Sequence, residues 1–298
     1  MTSTARPPLQ IGPLISSALA RVWHFKLEVG ILWLGLAVSA FVVLPFSTPF
    51  ENQILAMLGS GGSVPDTPTD NGAALRLLVV SLIVGLFEAG LMVLWLRVLR
   101  LGTVLALEGG VRMLVVRSVG LFLRCLALLM VFVGGLIMFA VVLRMILRGV
   151  LGPGAAIEVS LSDLALFGLL LLILLVALAI RMSFALIAPV FDTPVPIERA
   201  WSLLAGNTLR LLGAVIMVCF PVMFVGSLLS SSIVRLIPPV ADAAATAATS
   251  PGIGILIALT LVRSVTTTLE LAVTTALVME AFEQLGGWGK GRIVSEVA

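Results

Sequence analysis

Apolar residues run along this chain in six long blocks, at about 30–46, 74–96, 119–142, 164–189, 209–229 and 252–278. A hydrocarbon core needs roughly 20 consecutive apolar residues per helical crossing. Each block therefore predicts one transmembrane helix. Shorter stretches before some of the blocks are apolar on one side only. In 11–26, Ile11, Leu14, Ile15, Ala18, Leu19 and Val22 recur at spacings of three and four, with Ser17, Arg21 and His24 opposite. That pattern predicts a helix lying in the membrane interface and feeding the first span. Pro196 is placed to start a second such helix, with Ile197, Trp201 and Leu204 inward and Glu198, Arg199 and Ser202 wetted. A third is expected within 102–118, where Val104, Leu107, Val111, Leu114 and Val115 share a side.

The connections have their own composition. Residues 47–72 are rich in Gly, Ser, Pro and Asp, carry no basic residue, and read as a mobile outer loop. Residues 230–251 include the small-residue stretch 241–250, which lacks the bulk for a packed core and is assigned to a loop or a loosely held helix. The polar, proline-bearing first ten residues show no removable signal peptide, so the first span is expected to stay as an anchor. The predicted fold is all-α, a polytopic transmembrane bundle of six helices with interfacial amphipathic helices on the cytoplasmic side. The whole of 1–298 is expected to form one integral membrane domain.

Composition agrees with that pattern, since 60% of the 298 residues are hydrophobic, only 11% are charged, and the mean hydropathy is +1.22. The formal charge of +3 does not imply nucleic acid as a partner, because the basic residues are scattered singly without aromatic interleaving. Their placement instead orients the chain. One side collects Arg6, Arg21, Lys26, Arg97, Arg100, Arg112, Arg117, Arg199, Arg210, Lys290 and Arg292. The other has only Arg76, Arg144, Arg148 and Arg235. Positive-inside bias then puts both termini in the cytoplasm. Trp23, Trp95, Trp201 and Trp288 fall near the same boundary, Trp33 slightly deeper, as expected of interfacial anchors.

Charged residues inside the spans are the candidate chemistry. Arg263, Thr267, Glu270 and Thr274 recur at i, i+4, i+7 and i+11, forming a polar stripe on the last helix. Glu88, Arg124 and Arg181 lie in other spans, and counting from the middle of each run places these charges in one half of the bilayer. Hydrocarbon cannot satisfy such groups, so they are expected to turn inward, with Glu88 facing Arg181, Arg124 or Arg263. Glu88, Arg124, Arg181, Arg263, Thr267 and Glu270 form the candidate ligand-binding or buried ion-pair cluster. Ion pairs of this kind also serve simply to fix helix register. The excess of arginine over glutamate suits a phosphate or lipid headgroup from the cytoplasmic leaflet. Small residues on the Ser81, Gly85, Glu88 stripe and the pair Gly134 and Gly135 invite close helix approach, and Pro221 is expected to bend its span.

Catalytic constellations are hard to find. His24 is the only histidine, so neither a histidine metal site nor a histidine-driven triad has a second imidazole to use. Cys125 and Cys219 are isolated within spans and read as apolar packing residues, not a disulfide. Glu280 and Glu283 read as solvated acids at a helix end. No phosphate-cradling glycine motif and no nucleophile elbow occurs. No enzyme activity, metal or cofactor is expected.

The strings RMSFALIAP (181–189), ERAWS (198–202) and GNTLRLLG (206–213) resemble a region of the membrane domain attached to some bacterial glycerophosphoryl diester phosphodiesterases. Related six-helix bacterial membrane proteins share it. The clear part covers 181–213, and the plan of interfacial helices plus spans extends the likeness over most of the chain. The resemblance implies a bacterial inner-membrane location and an all-helical bundle. It does not imply phosphodiesterase activity, because the catalytic barrel of those enzymes is a separate domain that this sequence lacks. Two functions are expected on these grounds. The first is a non-catalytic membrane protein that binds or moves an anionic lipid or glycerophosphodiester. The alternative is a structural or assembly subunit whose interfacial helices or outer loop dock a partner protein.

Overall fold

The computed structural model describes residues 8–59, 71–151, 177–187, 190, 197–235 and 253–285. The elements described are helices: α1 (Ile11–His24), α2 (Lys26–Gly59), α3 (Asn71–Ala106), α4 (Gly110–Leu151), α5 (Ala177–Ile187), α6 (Ile197–Leu203), α7 (Thr208–Arg235) and α8 (Ile253–Gln284). Five contain segments long and apolar enough to cross a membrane: Lys26–Ser47, Gly72–Ala106, Gly110–Gly135, Thr208–Ile233 and Ile257–Gln284. The chain is thus a multi-pass integral membrane protein. Of the expected span 164–189, the described helical part is α5, which is shorter than a crossing. The turn before Pro196, the small-residue stretch 241–250, Trp288, Lys290 and Arg292 lie outside the described residues.

Two sequence expectations about connections are corrected. The outer loop expected from residue 47 begins later, because α2 continues to Gly59. The reason is visible in the residues: Ile54, Leu55, Met57 and Leu58 keep a helical apolar pattern past Pro45 and Pro49, and the glycines, with Pro65 and Pro68, follow only after them. The third interfacial helix expected at 102–118 is also absent as a separate element. Gly102 takes φ 78° and kinks the end of α3, and residues 110–118 are the first turns of α4. Gly109 and Gly110 adopt φ of 97° and 72°, which side-chain-bearing residues rarely tolerate, so the chain reverses within a few residues. Buried Arg97 holds this corner, donating Nε to the Ala106 carbonyl at 2.7 Å and Nη2 to those of Leu105 and Glu108 at 3.3 and 3.0 Å. One guanidinium thus meets three carbonyls at the end of the helix, where the Leu105 carbonyl also accepts the Glu108 N–H at 3.1 Å.

The described chain sorts into two compact units, one made of Gly12–Val119 and Ala214–Leu277, the other of Met1–Ile11, Gly120–Gly213 and Val278–Ala298. In the first unit α2 and α3 pack as an antiparallel pair: Gly35 lies against Leu91 and Ser39 against Glu88. The absent side chain at Gly35 admits the leucine. α7 and α8 form a second antiparallel pair, with Gly226 against Thr266 and Cys219 Sγ 3.2 Å from Thr274 Oγ1. α7 passes through Pro221 as one helix.

α8 joins these pairs through its hydroxyls. Trp33 on α2 donates its indole N–H to Ser264 Oγ at 3.1 Å, and Trp95 on α3 donates to Thr275 Oγ1 at 2.9 Å. Trp95 is 2% exposed, so this residue is a core group and not the interfacial anchor expected from its position. An indole can be buried when its single N–H finds an acceptor. On α1, Leu14 and Ala18 are buried as expected, whereas Leu19 and Trp23 are exposed. His24 is exposed, edge-on to Phe25.

The second unit is built around Phe184 of α5 and Phe282 of α8, whose rings meet edge to face at 4.9 Å. Ile180, Ile187, Ala200, Leu203, Leu204, Leu211 and Met279 complete its core. Cys125 is exposed, against the expectation of a packing residue. Gly134 and Gly135 have open space where a side chain would be, so the described residues show no close approach there. Glu280, expected to be solvated, is 8% exposed and engaged in an interaction.

Candidate functional site

The α5, α6 and α7 segments converge on Arg181. α6 ends at Leu203, the chain turns through Gly206 at φ 82°, and Asn207 accepts the first backbone bond of α7, from Leu211 N–H at 3.0 Å. Asn207 is buried and turns its Oδ1 to the backbone N–H of Leu9 at 3.0 Å. Arg210 Nη1 donates to the Leu9 carbonyl at 3.2 Å. The segment before α1 is thereby pinned to the turn that starts α7.

That turn carries Thr208. Its hydroxyl donates to the Leu204 carbonyl at 3.1 Å and accepts Nε–H of Arg181 at 2.9 Å. The guanidinium carbon of Arg181 lies 4.3 Å from the ring centroid of Trp201, which is 41% exposed on α6. Trp201 therefore does not enter the core as expected; Ala200 and Leu203 do. The indole face is occupied by a cation, an attraction of about 0.5–2 kcal/mol depending on solvation. Arg181 is thus held on one edge and one face. Its terminal amino groups make no hydrogen bond or ion pair with the described residues. Two parallel N–H donors on a pre-positioned guanidinium match two oxygens of one phosphate or carboxylate.

Counting along 164–189 places Arg181 within its span, and its partner Thr208 is the first residue of the apolar span Thr208–Ile233. The long side chain carries the charge to the edge of that span.

The other sequence candidates are placed as follows. Arg124 shares the unit of Arg181 and is exposed on α4. Glu88, Arg263, Thr267 and Glu270 belong to the other unit. Glu88, expected to face an arginine, has the Ser39 hydroxyl against its carboxylate. Arg263 and Thr267 are exposed and Glu270 is half-exposed, with no ion pair to Arg263 or Glu270 among the described residues. The face of α8 that is buried carries Thr260, Ser264, Thr268 and Thr275 instead, about a third of a turn away from the charged stripe. Sequence reasoning found Arg181 but missed Trp201 and Thr208 as its partners. A signal was present, since the strings that hold them stand together in 198–213, but nothing in helical spacing links two residues on different helices.

Among the described residues no group of three or more His, Cys, Asp or Glu could hold a metal ion. No family model, curated protein or solved structure matches the chain.

Proposed function

We propose that this chain is a non-catalytic integral membrane protein that binds an anionic, phosphate-bearing amphiphile at Arg181. The observation that carries the reading is the Arg181 guanidinium, fixed by Trp201 and Thr208 with its terminal donors uncommitted among the described residues. A guanidinium at headgroup depth meets phosphate oxygens without dragging them into hydrocarbon. The resemblance of 181–213 to the membrane domain of some bacterial glycerophosphoryl diester phosphodiesterases falls on the same residues. With both termini in the cytoplasm of a bacterial inner membrane, the site opens to the cytoplasmic leaflet. In this reading the protein holds or hands on its ligand.

Native mass spectrometry of the purified full chain tests this. Wild type is expected to retain a phosphorylated lipid, Arg181→Ala to lose it, and Arg263→Ala to keep it. Absence of lipid from the wild type, or equal retention by Arg181→Ala, overturns the proposal.

A further inference from the structure

The charged stripe of α8 calls for a different occupant. Arg263 and Thr267 are exposed, Glu270 is half-exposed, and none of the three has a hydrogen-bond or ion-pair partner among the described residues. Thr267 is distinctive on its own helix. The hydroxyls of Ser264, Thr266, Thr268 and Thr275 all donate to α8 carbonyls three or four residues back, the usual way for a hydroxyl to satisfy itself in hydrocarbon. Thr267 does not, although it lies between an exposed arginine one turn before and a glutamate one turn after.

Depth narrows what can complete these groups. Glu270 is midway along the 28-residue span Ile257–Gln284. Arg263 and Thr267 precede it by seven and three residues, about 10 and 5 Å along the helix, so lipid phosphates, about 15 Å from the middle of the bilayer, do not reach Thr267 or Glu270. A charge left against acyl chains at the middle costs about 2.5–3.5 kcal/mol on insertion scales, and less at the height of Arg263, so a partner of matching chemistry is favoured. A second copy of this chain does not match. Parallel copies related by a two-fold axis along the membrane normal would set Arg263 against Arg263 and Glu270 against Glu270, like charges at equal depth.

We infer that the Arg263, Thr267, Glu270 face of α8 docks a transmembrane helix of another protein. That helix carries a carboxylate at the depth of Arg263 and, two turns along, an amide or basic donor at the depth of Glu270. Interhelical hydrogen bonds and one ion pair then close three groups that are open in the single chain. This goes beyond lipid binding at Arg181 and stands independently of it, because the residues belong to a different compact unit.

A benzophenone photocrosslinker placed at Thr267 in the otherwise unaltered full chain, in its native membrane, tests the inference. The control is the same probe at Val265, which is 42% exposed and about 200° away around the helix. Position 267 is expected to crosslink to an apolar segment of a different protein that contains an acidic residue, and position 265 is not. Arg263→Asp is expected to lower the yield about tenfold or more, and exchange of the partner's acid for arginine to restore it. Crosslinks from 267 to lipid alone, to a second copy or to the same chain, equal yields from 265, or a charge exchange that restores nothing would each overturn it. The probe at 267 keeps both charges, so it reads the interface even where Arg263→Asp fails to insert.

Discussion

Trp95 donates its indole N–H to the Thr275 hydroxyl at 2.9 Å, and both residues are buried, at 2% and 7% exposure. Thr275 in turn donates to the Leu271 carbonyl at 2.7 Å, so the hydroxyl is used as donor and acceptor at once. This pair ties α3 to α8 and turns a residue type common at membrane surfaces into a core residue.

Replacing Thr275 by valine keeps the volume and removes the acceptor. The expected loss of stability is about 1–2 kcal/mol, within the range for interhelical hydrogen bonds in membranes and buried donors left unpaired. Thr275→Ser is expected to recover most of it, measured as the unfolding midpoint in mild detergent.

Glycine contacts separate tight from roomy helix crossings. A Cβ at Gly226 would lie 2.5 Å from Thr266 Oγ1, whereas at Gly90 its nearest neighbour is Ser118 Oγ at 3.4 Å. Thr266 is held by its bond to the Val262 carbonyl, so it has little room to yield. Gly226→Ala is expected to destabilise by about 1–3 kcal/mol, and Gly90→Ala to be nearly neutral, in the same unfolding assay.

Arg97 is expected to resist conservative exchange. A lysine offers one compact ammonium where the fork now reaches the carbonyls of Leu105, Ala106 and Glu108. Arg97→Lys is expected to cost about 1–3 kcal/mol and to speed amide hydrogen exchange at the α3 to α4 corner. Unchanged exchange there would show that the corner holds without the guanidinium.

Trp201 tests the Arg181 site without touching its charge. Trp201→Leu removes the aromatic face and keeps an apolar side chain, so lipid retention is expected to fall about 2- to 30-fold, the equivalent of 0.5–2 kcal/mol of cation–π attraction. Trp201→Phe is expected to lie between, as titrated by native mass spectrometry.

The places where sequence and structure part company share a cause. α2 and α3 were legible because long apolar runs admit hardly any other reading. The stripe of Arg263, Thr267 and Glu270 was legible as a stripe, since helical spacing alone puts those residues on one face. That it is not the side of α8 buried against Trp33 and Trp95 was not. The charges drew attention, while Ser264, Thr268 and Thr275, which face inward, are small hydroxyls that look unremarkable between apolar neighbours. The Arg181 site was half visible for a related reason: the arginine stands out in its run, but the indole and hydroxyl that position it come from α6 and α7.

Sequence alone determined that this is an all-helical, multi-pass membrane chain, because burying that much apolar surface and satisfying every backbone polar group in hydrocarbon leaves helices as the natural solution. Only the tertiary structure decided which side of each helix is inside. In water a helix declares its inner face by being apolar there and polar elsewhere. In a bilayer both faces are apolar, so the choice falls to small residues, hydroxyls and single hydrogen bonds such as Trp33 to Ser264, whose partners lie 231 positions apart.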